Sequence, residues 1–381
     1  MKQIWLFAAS VSTHLQYNRP ILEMLRKMGH TVHIACNFTD SNIPQEVSDA
    51  FQKELTEQKI PYHDLPFAPT LLHTMQNHKA NQQLQTLLQE TSFDLVHCFG
   101  TIAGYYGRAA AATSGIPIFY SALDFRVFRN GSHFLNQFFK WTEKKRAKQT
   151  SVFFASNPEN ASYATQKLQI GEVHTLPGTG INREAFQQTS CTREELRKQL
   201  NIPEDAIVLL SVGSLTWAEY QRAVLQAISR LPQYNLYYLL CGMGPDLDFL
   251  TKLAERLHVA DRVQFLGYRT DLPDLYQAAD LFCLPSKREA LGIHALEAMA
   301  AGLPLLTSDR NGMQFYNDGS SEGRTYPCDD IEALTKEIRE LADHADLRKK
   351  MGDANREACA AWRQEKVLPV LEETYQKYLS E

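Results

Sequence analysis

No stretch of this 381-residue chain approaches the about eighteen consecutive apolar residues that a membrane-spanning helix needs, so any membrane contact is expected to be peripheral. Positive charge is not in excess: 39 Lys and Arg stand against 44 Asp and Glu, a net charge of −5, which supplies no global field for nucleic acid. The seven cysteines are scattered and odd in number. Most lie in apolar runs (Cys36, Cys98, Cys241, Cys283) and none has metal-ligand spacing, so the sequence predicts neither a disulfide framework nor a metal site, and implies a reducing, cytoplasmic setting. The opening MKQIWLFAAS lacks a cleavable signal's small-residue site and reads as a first buried strand. No low-complexity segment or short-period repeat is present, so two halves of the chain would be related by architecture alone.

What is present is length and rhythm. A chain this long exceeds one compact core and suits two domains. Short apolar runs predict strands at Ile4–Ala8, Val32–Ala35, Leu95–His97, Ile116–Tyr120, Val152–Ala155 and His174–Leu176. Helical patterns fall between them, near Pro20–Met28, His73–Gln89, Ile102–Thr113, His133–Lys148 and Pro158–Leu168. After Phe186 the chain turns polar and then restarts: strands at Ile207–Val212, Leu236–Cys241, Val263–Leu266, Leu281–Leu284 and Leu305–Thr307 alternate with helices at Glu219–Arg230, Asp246–Leu257, Leu272–Ala278 and Leu291–Ala301. This is the signature of α/β structure, two parallel doubly wound sheets covered on both faces. The expected domains are 1–188, 189–365, and a terminal helix over 366–381 with Val367, Leu371, Tyr375 and Tyr378 at helical spacing. Ligands of such sheets gather at the carboxyl ends of the strands, so the loop Ser10-Val11-Ser12-Thr13-His14 is a candidate lining, with Ser12 and His14 as acceptor-side contacts.

The most informative stretch is PSKREALGIHALEAMAAGLP, residues 285–304. A strand end, a charged loop, a glycine turn and a small-residue helix follow one another, with Glu289 and Glu297 bracketing the helix start. The helix N-terminus offers free amides and a positive dipole end, an anion site. Ionised carboxylates only accept hydrogen bonds, which suits the donating hydroxyls of sugars. From spacing alone, an amphipathic helix with a solvated charged loop before it reads equally well.

Ser286-x-x-Glu289-x-Leu291-Gly292, followed by Glu297-Ala298-Met299-Ala300-x-Gly302-x-Pro304, resembles the glutamate-x7-glutamate signature of family 4 (group 1) retaining glycosyltransferases. Gly29-His30-x-Val32, Phe93-Asp94-Leu95-Val96-His97-Cys98, Leu176-Pro177-Gly178-x-Gly180-Ile181-Asn182, Ser211-Val212-Gly213, Cys241-Gly242-Met243-Gly244-Pro245 and Phe265-Leu266-Gly267 extend the resemblance over most of the chain. The first half looks most like the bacterial capsule and exopolysaccharide branch. The resemblance implies a GT-B fold, two Rossmann-like domains facing across a cleft, with the terminal helix crossing back to the first. It implies transfer of a hexosyl group with retention from a nucleotide sugar, a UDP-sugar, to a lipid-linked or polysaccharide acceptor, without metal or cofactor. Glu289 would hold the donor hexose, Glu297 the ribose, and the Leu291, Gly292 and Ile293 amides the diphosphate, with Gly213, Gly242 and Arg288 in the same site and Arg126 on the acceptor side.

Two departures stand out against that resemblance. Where cations are expected after the first strand of the second half, this chain has Ser214, Glu219 and Tyr220; where His-Gly is expected in the first half, it has Leu123-Asp124. Asp124 is the candidate for a catalytic polar role there, or a loop aspartate that caps a turn. The alternative function these departures leave open is a catalytically degenerate member serving as a partner subunit of another glycosyltransferase. Finally, Phe134, Phe138 and Trp141 share a predicted helix with Lys140, Lys144, Lys145, Arg146 and Lys148. That pattern is either a face for the anionic inner membrane surface or a core-facing aromatic stripe with a solvated basic side.

Overall fold

The computed structural model describes residues 1–39, 42–71, 73–123, 133–287, 289, 292–310, 312 and 323–380. The chain forms two compact units, Met1–Gly180 with Gln364–Glu381, and Ile181–Arg363. The first unit thus closes at Gly180, before the polar stretch that follows Phe186, and the terminal helix Gln364–Leu379 belongs to it.

In the first unit seven parallel strands, β1 (Gln3–Ser10), β2 (Thr31–Asn37), β3 (Tyr62–Asp64), β4 (Leu95–Phe99), β5 (Ile118–Ala122), β6 (Val152–Ala155) and β7 (Val173–Thr175), lie in the order β3-β2-β1-β4-β5-β6-β7. Parallel strands buried on both faces need continuous apolar runs, and Leu95–Phe99 and Ile118–Ala122 are buried at every position. Trp5, Phe7, Tyr120 and Phe153 fill the core on one side of the sheet. On the other, Tyr375 of the terminal helix brings its hydroxyl to His97 Nδ1 at 2.5 Å, while the His97 Nε2 meets Ser121 Oγ at 2.8 Å.

The second unit repeats the plan with β8 (Ile207–Val212), β9 (Leu236–Cys241), β10 (Val263–Gly267), β11 (Leu281–Leu284), β12 (Leu305–Ser308) and β13 (Arg324–Tyr326), ordered β10-β9-β8-β11-β12-β13 and all parallel. The winding reverses between β8 and β11. At such a switch point the connections leave in opposite directions and open a crevice at the strand ends. The strands not expected from sequence, β3 and β13, have three residues each and carry mostly polar side chains. Helices Gln45–Glu57, Ile331–Asp343 and Ala345–Ala358 were likewise not expected. No helix among the described residues is long and apolar enough to cross a membrane.

Candidate active site

Two glycines shape the floor at the β8–β11 switch. Gly213 and Gly242 hold φ of 150° and 145°, and a Cβ on Gly242 would stand 1.9 Å from the Gly213 carbonyl oxygen. Only glycine lets the turns after β8 and β9 touch in this way. The turn after β8 then brings Glu219 back beneath the end of β11. There the hydroxyl of fully buried Ser286 donates to Glu219 Oε2 at 2.7 Å, and the Lys287 amide donates to the Ala218 carbonyl at 2.7 Å.

The helix of the signature runs Ile293–Ala301, with Gly292 as its cap at φ 62°. It therefore starts later than Leu291. The Gly292 amide donates to Glu289 Oε1 at 2.8 Å, so one of the amides expected to hold a diphosphate is engaged by a carboxylate of its own loop. The first-turn amides of Ile293 and His294 remain outside the helical ladder. One turn on, Glu297 Oε2 accepts from the Tyr276 hydroxyl and from His294 Nδ1, each at 2.7 Å. Tyr276 comes from the helix Leu272–Ala278 and is fully buried.

The electrostatics follow from this crowding. Burial and then the charge of Glu289 push the Glu219 carboxyl up to about 7, against the opposing pull of the Ser286 hydrogen bond and His294. Burial alone would lower His294, but Glu297, Glu289 and Glu219 outweigh it and raise the imidazole above its ordinary value. Burial, then Glu297, holds the Tyr276 phenol well above its usual range. Lys287 is turned elsewhere, pairing with Asp329 at 2.7 Å and lying over the rings of Tyr220 and Trp217.

Of the residues singled out from sequence, the structure brings Gly213, Gly242, Glu289, Gly292, Ile293 and Glu297 together at the carboxyl end of the second sheet. Arg288, Leu291, Asp124 and Arg126 lie outside the described residues. His14 is corrected: the segment after β1 is not an open loop but coils at once into helical backbone over Val11–Thr13 and His14–Asn18. That places the imidazole in the core, its Nε2 donating to the Ala35 carbonyl at 3.1 Å and its Nδ1 accepting from Asn18 at 3.0 Å. Burial lowers its pKa to about 4, so it is a neutral structural group. Ser12 Oγ is within 2.9 Å of Ser10 Oγ. Sequence reasoning missed His294 and Tyr276; the i, i+3 spacing of His294 to Glu297 was a usable signal, whereas nothing local marks Tyr276.

Both units of the chain are similar to known proteins. Residues 192–358 match the family "Glycosyl transferases group 1" and residues 15–178 the "Glycosyl transferase 4-like domain". The putative glycosyltransferase EpsD of Bacillus subtilis is 27% identical over 98% of this chain and 96% of its own length. The UDP-Gal:alpha-D-GlcNAc-diphosphoundecaprenol alpha-1,3-galactosyltransferase of Escherichia coli is 24% identical over 73% of this chain and 74% of its own. Among solved structures, sucrose-phosphate synthase from Thermosynechococcus elongatus superposes with a TM-score of 0.81 at 20% identity, covering 100% of both chains. Anabaena Alr3699/HepE in complex with UDP and glucose gives 0.76 at 17% identity, covering 99% of this chain and 100% of that one. At these identities the structures speak for the GT-B fold. The two matches take in all but the ends and a short stretch between them: residues 15–178 carry a glycosyltransferase 4-like domain and residues 192–358 a group 1 glycosyltransferase domain.

Proposed function

We propose that this chain transfers a hexosyl group from a UDP-sugar, with retention, to a lipid-linked or polysaccharide acceptor in bacterial cell-surface glycan synthesis, in the capsule and exopolysaccharide branch, at the cytoplasmic face of the membrane. The observation that carries the reading is the placement of Glu289 and Glu297 on either side of a helix N-terminus at a switch point. In it, Glu297 receives the ribose hydroxyls on the oxygen that Tyr276 and His294 leave open, and Glu289 receives the hexose. The Ile293 and His294 amides stabilise the charge that develops on the leaving diphosphate. The acceptor hydroxyl attacks on the face from which the diphosphate departs, and neither metal nor cofactor enters the reading. Asp124, Ser12 and Arg126 are assigned to the acceptor side. The printed names of the relatives support a nucleotide-sugar donor: one is a UDP-Gal galactosyltransferase, and HepE was solved with UDP-glucose.

Glu219 at a position where a cation is expected favours a second reading, a non-catalytic partner subunit of another glycosyltransferase. Calorimetry with UDP, together with release of UDP from UDP-glucose and UDP-galactose in the presence of membrane lipid extract, separates the two. Micromolar binding with lipid-dependent UDP release is expected; tight binding without turnover on any donor would move the chain to the partner role.

A further inference from the structure

Among the described residues, the proposed donor site is rich in carboxylates. Glu219, Glu289 and Glu297 surround the single imidazole of His294, which is hydrogen-bonded to Glu297 and lies in the field of the other two. Glu219 itself faces Ser286, Glu289 and His294. Among the described residues, cations on the neighbouring elements are engaged: Lys287 with Asp329, Arg310 with Asp309 and Asp329, and Arg222 over the Tyr220 ring. Among the described residues no group of carboxylates and histidines is arranged to hold a metal ion, so the cluster does not present itself as a divalent-cation site. A nucleotide sugar's diphosphate brings about two further negative charges to this place, and like charges in a shared low-dielectric site cannot all remain ionised.

We infer that Glu219 and His294 are the diphosphate contacts of this chain, the first as a neutral carboxylic acid and the second as an imidazolium, so that the donor is bound together with a proton. The inference rests on the donor reading above and deepens it. A carboxylate can only accept hydrogen bonds, but its acid form carries one O–H donor, and an imidazolium carries two N–H donors. Protonation thus converts Glu219 from a repelling group into a donor, without moving any backbone. Its acid form already persists up to about 7 in the free protein, through burial and Glu289, and an arriving diphosphate raises it further. The balance is this: on binding one donor molecule Glu219 takes one proton from solvent, His294 takes one wherever it is still neutral, and these protons return to solvent with the product.

The test is isothermal titration with UDP-glucose, whose diphosphate does not titrate near neutrality, from pH 6.5 to 8.5 in pairs of buffers that differ in ionisation enthalpy. Wild type is expected to take up at least close to one proton per donor near pH 8, with affinity falling by about tenfold or more per pH unit well above the free-state Glu219 value of about 7. Glu219→Gln keeps an acceptor for Ser286 and a neutral N–H donor; it is expected to take up about one proton fewer than wild type and to show a shallower pH profile. His294→Gln is expected to bind about tenfold more weakly at pH 7, with its thermal unfolding measured beside wild type to confirm folding. Binding by wild type without proton uptake, or uptake that is not reduced in Glu219→Gln, overturns the inference while leaving the proposed function in place. Failure of wild type to bind either UDP or UDP-glucose at any pH overturns the donor reading itself.

Discussion

At the scale of single residues, Glu297 shows how much of its environment fixes one carboxylate. Both Tyr276 and His294 meet Oε2, so rotation of the group is stopped and the other oxygen has a set direction. Glu297→Ala removes an acceptor for ribose hydroxyls; a charge-assisted hydrogen bond is worth about 1.5–3 kcal/mol, and UDP affinity is expected to fall roughly ten- to hundredfold by calorimetry. Unchanged affinity would place the ribose elsewhere. The two glutamates were legible in the sequence because their spacing around a glycine turn carries the geometry within one short segment. Tyr276 was not, because it arrives from a helix whose packing the sequence does not display. His14 was misread for a related reason: a histidine after a strand looks solvated until the following backbone is seen to coil and bury it.

At the scale of elements, the helix His133–Ala147 has two contrasting faces. Glu143 points inward, where its carboxylate takes Arg108 at 2.8 Å and the Tyr120 hydroxyl at 3.2 Å, with the guanidinium stacked 4.0 Å over the Tyr120 ring. The Arg108 and Glu143 side chains are only 1% and 6% exposed. Leaving a buried arginine without its partner costs about 3–5 kcal/mol, so Glu143→Ala is expected to lower the unfolding free energy of the first unit by that order in urea titrations, whereas an exposed substitution such as Lys144→Ala is expected to change it little. The outward face carries Phe134 and Trp141, 81% and 55% exposed, with Lys144, Lys145 and Lys148 exposed beyond them. The aromatic residues at 134 and 141 are therefore not a core-facing stripe. On the proposed reading this face rests on anionic lipid, each cation contributing about 1 kcal/mol. Vesicles containing phosphatidylglycerol should sediment the protein at low salt and release it at high salt as screening shortens, and a variant with Lys144, Lys145 and Lys148 changed to Gln should stay in solution at both. Wild type remaining in solution at low salt would remove the lipid surface from the proposal. The residue spacing carries a helical period here but not its phase, since an aromatic stripe has the same spacing whether it faces core or solvent. The strands that escaped notice, β3 and β13, lie at sheet edges, where three residues pair on one side only and need no apolar run.

At the scale of the whole molecule, the two units respond to pH in opposite directions. In the first, burial lowers the pKa of His14 and of His33 to about 4, that of His97 well below its ordinary 6.5, and those of His30 and His63 by lesser amounts. A folded-state value below the unfolded one means that the unfolded chain binds protons the folded chain refuses. Stability from these groups is therefore fully present above about 6.5 and is lost as pH falls from there towards 4. In the second unit the sign is reversed. Glu219 is held as an acid up to about 7 against an ordinary 4.5, so the folded unit binds the extra proton and loses stability as pH rises from about 4.5 to 7. His294, raised above 6.5 by its three carboxylates, contributes stability that is present below 6.5 and lost as pH climbs through its folded value. Moving from pH 7.5 to pH 5 should thus weaken the first unit while sparing or strengthening the second. Hydrogen exchange read by peptide mass, corrected for the intrinsic pH dependence of amide exchange, reports each unit separately. Peptides containing β1, β4 and the terminal helix are expected to lose protection at pH 5, while those containing β8, β11 and the Ile293–Ala301 helix keep theirs. If both sets lost protection together, the buried histidines of the first unit would not be the groups that govern its acid stability; if only the second set did, the carboxylate cluster around His294 would be ionised in the folded chain and would not hold the proton assigned to it.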